Sequence, residues 1–138
     1  MKKYKVLEFN QLGDKRGHLV VVEGMRDIPF EMKRMFYIYG TDKNIVRGQH
    51  ANKISRFVLI NLVGECKIKV NDGKNEEIVI LDKPHKGVYL DKMVWKDMYD
   101  FSKDSVLLVI SDNYYDSKEY IREFKDFKQY IKGENHDS

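Results

Sequence analysis

Short extended runs recur along this chain, each closed by a turn signal, and that cadence restricts the fold more than any other feature. Residues 4–9, 18–23, 34–40, 55–63, 65–70, 77–81, 88–90, 93–101 and 105–111 are β-branched, aromatic or alternating in character. With the polar turn Thr41-Asp42-Lys43-Asn44 leading into Ile45-Val46-Arg47, they make about ten short strands. Glu65-Cys66-Lys67-Ile68-Lys69-Val70 alternates strictly, placing Cys66, Ile68 and Val70 on one face and the lysines on the other. Asp72-Gly73 then supplies a strong hairpin signal before Glu77-Ile78-Val79-Ile80-Leu81 returns as the partner. Only after Tyr114-Tyr115 does the period change. Asp116-Ser117-Lys118-Glu119 reads as a helix start, and Ile121, Phe124, Phe127 and Ile131 recur at three or four residues. The pattern predicts an all-β antiparallel sandwich or barrel with a short C-terminal helix.

Length and composition bound the function. The 138 residues suit one domain over 1–138, long enough for a real core. A net charge of +3 with no consecutive basic block gives no push toward nucleic acid, and a mildly basic pocket for a phosphorylated metabolite fits equally well. No stretch has the apolar length of a membrane span, and Met1-Lys2-Lys3-Tyr4 has no apolar run behind it, so a cytoplasmic protein is expected. The lone Cys66 sits in an alternating strand and reads as a small core residue rather than a nucleophile.

The richest chemistry lies in Arg47-Gly48-Gln49-His50-Ala51-Asn52-Lys53, followed at once by the apolar run Phe57-Val58-Leu59-Ile60-Asn61-Leu62-Val63-Gly64. Reactive side chains beside a rigid strand are what a small-molecule site needs. Gly-x-His-Ala-x-Lys before an apolar strand resembles the first signature of the cupin double-stranded β-helix, or jelly roll. The chain more narrowly resembles the sugar 3,4-ketoisomerases that act on dTDP-4-keto-6-deoxyglucose. Ile28-Pro29-Phe30, Lys33-Arg34 with Phe36-Tyr37-Ile38, the Arg47–Lys53 motif, Gly87-Val88-Tyr89, Val94-Trp95, Asp100-Phe101 and Tyr114-Tyr115-Asp116 with Tyr120-Ile121-Arg122 match in order across nearly the whole chain.

The resemblance implies a cupin fold, a homodimer with exchanged N-terminal strands, and a reaction moving a keto group from C4 to C3 of a dTDP-linked sugar. The product would feed an aminotransferase making a 3-amino-3,6-dideoxyhexose for surface polysaccharide. Such a shift needs a base near neutrality and a group that stabilises or protonates an enediolate, and no nicotinamide or flavin, because no electrons leave the substrate. His50 and Tyr37 are the expected catalytic groups, with Asn52 beside them. Arg47 and Lys53 are the expected phosphate contacts, and Arg34, Arg56 and Trp95 the further substrate-binding candidates.

Two positions depart from the family pattern. The motif there reads Arg-Gly-x-His-Ala-His-Lys, and here the second histidine is Asn52; a family glutamine is replaced by Arg56. Asparagine hydrogen-bonds but is no base near pH 7. Either proton transfer runs through His50, Tyr37 or another group, or position 52 carries a deliberate change. No metal is expected, since His50, Asn52 and Arg56, with Lys96 near where the last ligand would stand, offer one imidazole among cations. A related cupin epimerase and a non-catalytic dTDP-sugar-binding protein are the alternatives.

Overall fold

The computed structural model describes residues 1–137. Strands β1 (Tyr4–Glu8), β9 (Lys86–Leu90), β6 (Phe57–Val63), β11 (Val106–Ser111) and β4 (Arg34–Tyr39) form one five-stranded sheet in that order. A second five-stranded sheet runs β12 (Tyr120–Ile121), β5 (Arg47–Asn52), β10 (Trp95–Tyr99), β7 (Cys66–Asn71), β8 (Glu76–Leu81). Every strand ladder among the described residues is antiparallel. The expected cupin jelly roll is therefore the fold. A separate hairpin pairs β2 (Gln11–Asp14) only with β3 (Gly17–Val20), and helix α1 (Phe124–Asp137) closes the chain. Among the described residues no helix is long and apolar enough to cross a membrane.

Period-2 alternation sorts the side chains into three layers. Leu59, Leu107 and Val109 from the first sheet meet Ile68, Val70 and Met98 from the second in the barrel interior. The opposite face of β6 and β11, with Val58, Ile60 and Ile110, is covered by Phe9, Ile28 and Phe30. The outer face of the second sheet, with Ala51, Met93 and Trp95, is covered by Ile121, Phe127 and Ile131. Cys66 is buried in the interior layer, and burial pushes its thiol up to about 12, as an inert core residue requires. The β7–β8 turn is held by Asp72, whose Oδ1 accepts from the backbone N of Lys74 (2.9 Å) and Asn75 (2.7 Å).

The tail departs from its periodicity. Asp116 caps a single 3₁₀ turn, Ser117–Glu119, not the helix. The chain then extends for the two residues of β12, where Ile121 is buried by pairing with Ala51, and α1 begins only at Phe124. The Glu119 carboxylate forces this detour. It is buried and accepts from the backbone N of Ile54 (3.1 Å) and Ser55 (2.8 Å) and from the Ser55 hydroxyl, fastening β12 beside β5 before a helix can start.

The interior layer is continuous enough that one truncation opens a cavity in it. Leu59→Ala should cost about 2–5 kcal/mol, read as a lowered urea midpoint with an unchanged slope in equilibrium unfolding.

Candidate active site

The site is built on the interior faces of β4, β5, β6 and β10, at the end of the barrel where β12 closes over it. Between them lies a cavity of about 360 Å³ lined by Arg34, Phe36, Arg47, His50, Phe57, Lys96, Tyr115 and Tyr120, among others. Its walls are mainly apolar, with cations and one imidazole as the polar groups.

An irregularity in β5 aims the imidazole. Gly48 (φ 83°) and Gln49 (φ 55°) both take the left-handed conformation, and the β5–β10 register shifts between Lys96 and Asp97. Gly48 is required there, because a Cβ would lie 3.0 Å from the Lys96 carbonyl oxygen. The bulge lets Gly48 turn its carbonyl to His50, whose Nδ1–H donates to it at 3.0 Å. Nε2 therefore carries the lone pair, and the ring lies 4.7 Å from Tyr120. Burial first, then the charge of Lys96, lowers His50 to about 3, so it is neutral at pH 7.

Lys96 faces His50 directly across the β5–β10 ladder. It is 4% exposed. Its Nζ donates to Asn52 Oδ1 at 3.2 Å and lies 4.2 Å from the centroid of Phe57. Burial, opposed by the attraction of Glu119 and aided by Arg34, brings its pKa down to about 7. Arg34 sits among Phe36, Phe57 and Tyr115, and its buried Nε and Nη2 have no hydrogen-bond partner among the described residues. Arg47 is exposed at the rim.

The structure thus brings together His50, Asn52, Arg34 and Arg47, and separates the other candidates. Tyr37 alternates to the outer face of β4, is exposed, and packs against Tyr39; it does not line the cavity. Lys53 lies beyond the end of β5 and places its amine 4.6 Å from the Tyr130 ring of α1. Arg56 pairs with Asp112 at 2.8 Å and lies over Phe30, outside the barrel. Trp95 points away from Lys96, against Phe124 and Phe127. Lys96, Tyr115 and Tyr120 were not candidates from sequence. The first carries a signal there: it sits at an interior position of a strand between the outward Trp95 and Asp97. Among the described residues no three His, Cys, Asp or Glu side chains converge as a metal site.

The family model of FdtA (WxcM-like, C-terminal) matches residues 2–132. The chain belongs to the FdtA family. This FdtA-family chain is 42% identical over 127 residues, 92% of its length and 91% of the relative's, to a TDP-4-oxo-6-deoxy-alpha-D-glucose-3,4-oxoisomerase of Aneurinibacillus thermoaerophilus. Among solved structures it superposes on a TDP-fucose-3,4-ketoisomerase of Campylobacter jejuni with TM-score 0.88 and 45% identity, covering 93% of this chain and 95% of that one. It also superposes on a 3,4-ketoisomerase of Thermoanaerobacterium thermosaccharolyticum with TM-score 0.92 and 38% identity, covering 96% of each chain. That structure is a histidine-to-asparagine mutant in complex with TDP-4-keto-6-deoxyglucose.

Burying Lys96 has a pH-dependent cost in stability. The unfolded chain binds this proton below 10.5 and the folded chain only below about 7, so stability falls as pH drops from 10.5 to 7 and the cost is complete below that. Lys96→Met should therefore raise stability at pH 7 by roughly 1–4 kcal/mol, and the gain should shrink toward zero near pH 10.5. Urea unfolding of both proteins across that range measures it.

Proposed function

We propose that residues 1–138 act as one catalytic domain that converts dTDP-4-keto-6-deoxyglucose to a dTDP-3-keto-6-deoxyhexose. The observation that carries this is a neutral imidazole with a free Nε2 in the same cavity as two arginines, one with unpaired guanidinium N–H groups, in a chain of this family. Arg34 and Arg47 suit the diphosphate: a guanidinium binds phosphate oxygens through paired N–H groups, and Arg34 has such groups to give. The aromatic lining offers apolar surface to the sugar and base.

The reaction moves hydrogen without net oxidation. His50 Nε2 takes the proton from C3, which the adjacent C4 carbonyl acidifies. The electron pair forms the C3–C4 double bond and the charge passes to O4. Protonation of O4 gives the enediol. Loss of the O3 proton and return of a proton to C4 complete the shift. Burial first, then the charges of Lys96 and Arg122, hold the pKa of the imidazole down. A bound diphosphate offsets the cationic part of that effect and raises the pKa of His50, so substrate binding strengthens the base.

The hairpin β2–β3 supports a homodimer with exchanged N-terminal segments. Among the described residues it pairs with no other strand, and its Leu12 and Leu19 are 57% and 55% exposed, an apolar surface that a second copy would cover. In this reading the enzyme works in the cytoplasm, and its product goes to an aminotransferase making a 3-amino-3,6-dideoxysugar for surface polysaccharide such as lipopolysaccharide O-antigen. Asn52, which cannot titrate, favours a second reading, a dTDP-sugar-binding protein without turnover.

Incubation with dTDP-4-keto-6-deoxyglucose in D2O, followed by NMR, separates the readings. The 3-keto isomer is expected. Unchanged substrate with tight dTDP binding favours the binding protein, and inversion at C3 or C5 an epimerase. His50→Gln should lower kcat about 10²–10⁴-fold with dTDP affinity kept. Sedimentation should show a dimer that Leu12→Asp with Leu19→Asp converts to a monomer.

A further inference from the structure

His50 accounts for proton traffic at carbon, but the two oxygens also exchange a proton, and Asn52 cannot carry it. The cavity holds a second group that can. We propose that Lys96 is the second proton-transfer residue of the enzyme, protonating O4 of the sugar and recovering a proton from O3, with Asn52 as the residue that positions its amine. The inference rests on the isomerase reading above.

The geometry limits the amine to this role. Lys96 is the cross-strand neighbour of His50, and both line the cavity. Among the described residues the only hydrogen bond of its amine runs to Asn52 Oδ1, at 3.2 Å. An ammonium has three N–H groups, so two stay uncommitted beside the Phe57 ring, which also lines the cavity. Asn52 is 2% exposed and its Nδ2 has no partner among the described residues. The side chain is therefore fixed through its carbonyl, toward Lys96. A histidine at this position would place a second titrating ring against the amine; asparagine supplies a neutral acceptor that holds it.

The charged groups facing Lys96 are Arg34 from β4 and Glu119 from the turn before β12, with the neutral, titratable His50 on β5, while β6 and β7 present Phe57 and Val70. Burial and Arg34 bring the amine to about 7, where it can both give and take a proton near neutral pH. Glu119 keeps it from falling further, from a position already saturated by Ser55 and the Ile54 amide.

The cycle balances. As His50 takes the C3 proton, the C–H electrons form the C3–C4 double bond, the C4–O4 π pair moves to O4, and the Lys96 ammonium protonates it. The Lys96 amine then removes the O3 proton, the O3 electrons form the C3 carbonyl, and the double-bond pair takes the proton from His50 at C4. Both side chains finish as they began, and no co-reactant is consumed.

The test is kcat/KM against pH from 5 to 10 for the wild type, Lys96→Arg, Lys96→Met and Asn52→Leu, with dTDP affinity by calorimetry. The wild type should lose activity above about pH 7 as the ammonium deprotonates. Lys96→Arg keeps the charge but cannot release a proton, so kcat should drop about 100-fold or more with dTDP affinity within about threefold. The alkaline limb should vanish from what activity remains. Lys96→Met should be inactive yet fully folded. Asn52→Leu removes an acceptor that favours the ammonium, so the limb should move to lower pH. An active wild type whose Lys96→Arg variant keeps both rate and alkaline limb overturns the role of Lys96 and leaves the isomerase reading intact. A wild type inert toward the substrate overturns the isomerase reading, and the inference with it. Borohydride trapping of substrate on Lys96 would show an imine in place of proton transfer and overturn the proposal.

Discussion

A lysine inside a β-barrel is the constraint on which the site depends. The amine of Lys96 leaves water for a space bounded by Phe57, Asn52 and His50, and such a transfer is tolerated only with nearby compensation. Glu119 supplies charge, Asn52 an acceptor and Phe57 the negative face of its ring. Each comes from a different element, so the site exists only when β5, β6, β10 and the 3₁₀ turn are all in place. The geometry of the cavity and tertiary assembly are here the same set of contacts.

The left-handed bulge at Gly48 and Gln49 is the second element of that assembly. A regular β5 would leave the Gly48 carbonyl in the ladder and His50 without its Nδ1 acceptor. The irregularity frees the carbonyl, fixes the tautomer and sets the imidazole opposite the lysine. The left-handed backbone of two residues, strained at Gln49, thereby decides which nitrogen carries the lone pair.

Strand existence was legible in the sequence because burial on one face imposes a period of two, which β7 shows openly, and burial on both faces an unbroken apolar run, which β6 and β11 show. The hairpin partner β2 was not, since Gln11-Leu12-Gly13-Asp14 has neither a run nor an alternation, and its pairing comes from the turn at residues 15–16. At the site, His50, Arg34 and Arg47 were legible. Tyr37, Lys53, Arg56 and Trp95 have the right chemistry but the wrong face or the wrong end of a strand, and a face is settled only by register across the sheet. Lys96 was passed over for the opposite reason. Lysine is expected in water, although the outward Trp95 and Asp97 on either side of it leave it only the interior.

Trp95, the chain's one tryptophan, has a use beyond packing. It adjoins Lys96 in sequence yet looks out through the back of the sheet, seated against Phe124 and Phe127 of α1. The indole is therefore an optical gauge of whether the terminal helix is seated on the wall of the site. Because a ligand meets the other face of β10, helix seating and cavity occupancy can be followed separately in one molecule: the first by emission, the second by the state of the amine one residue away.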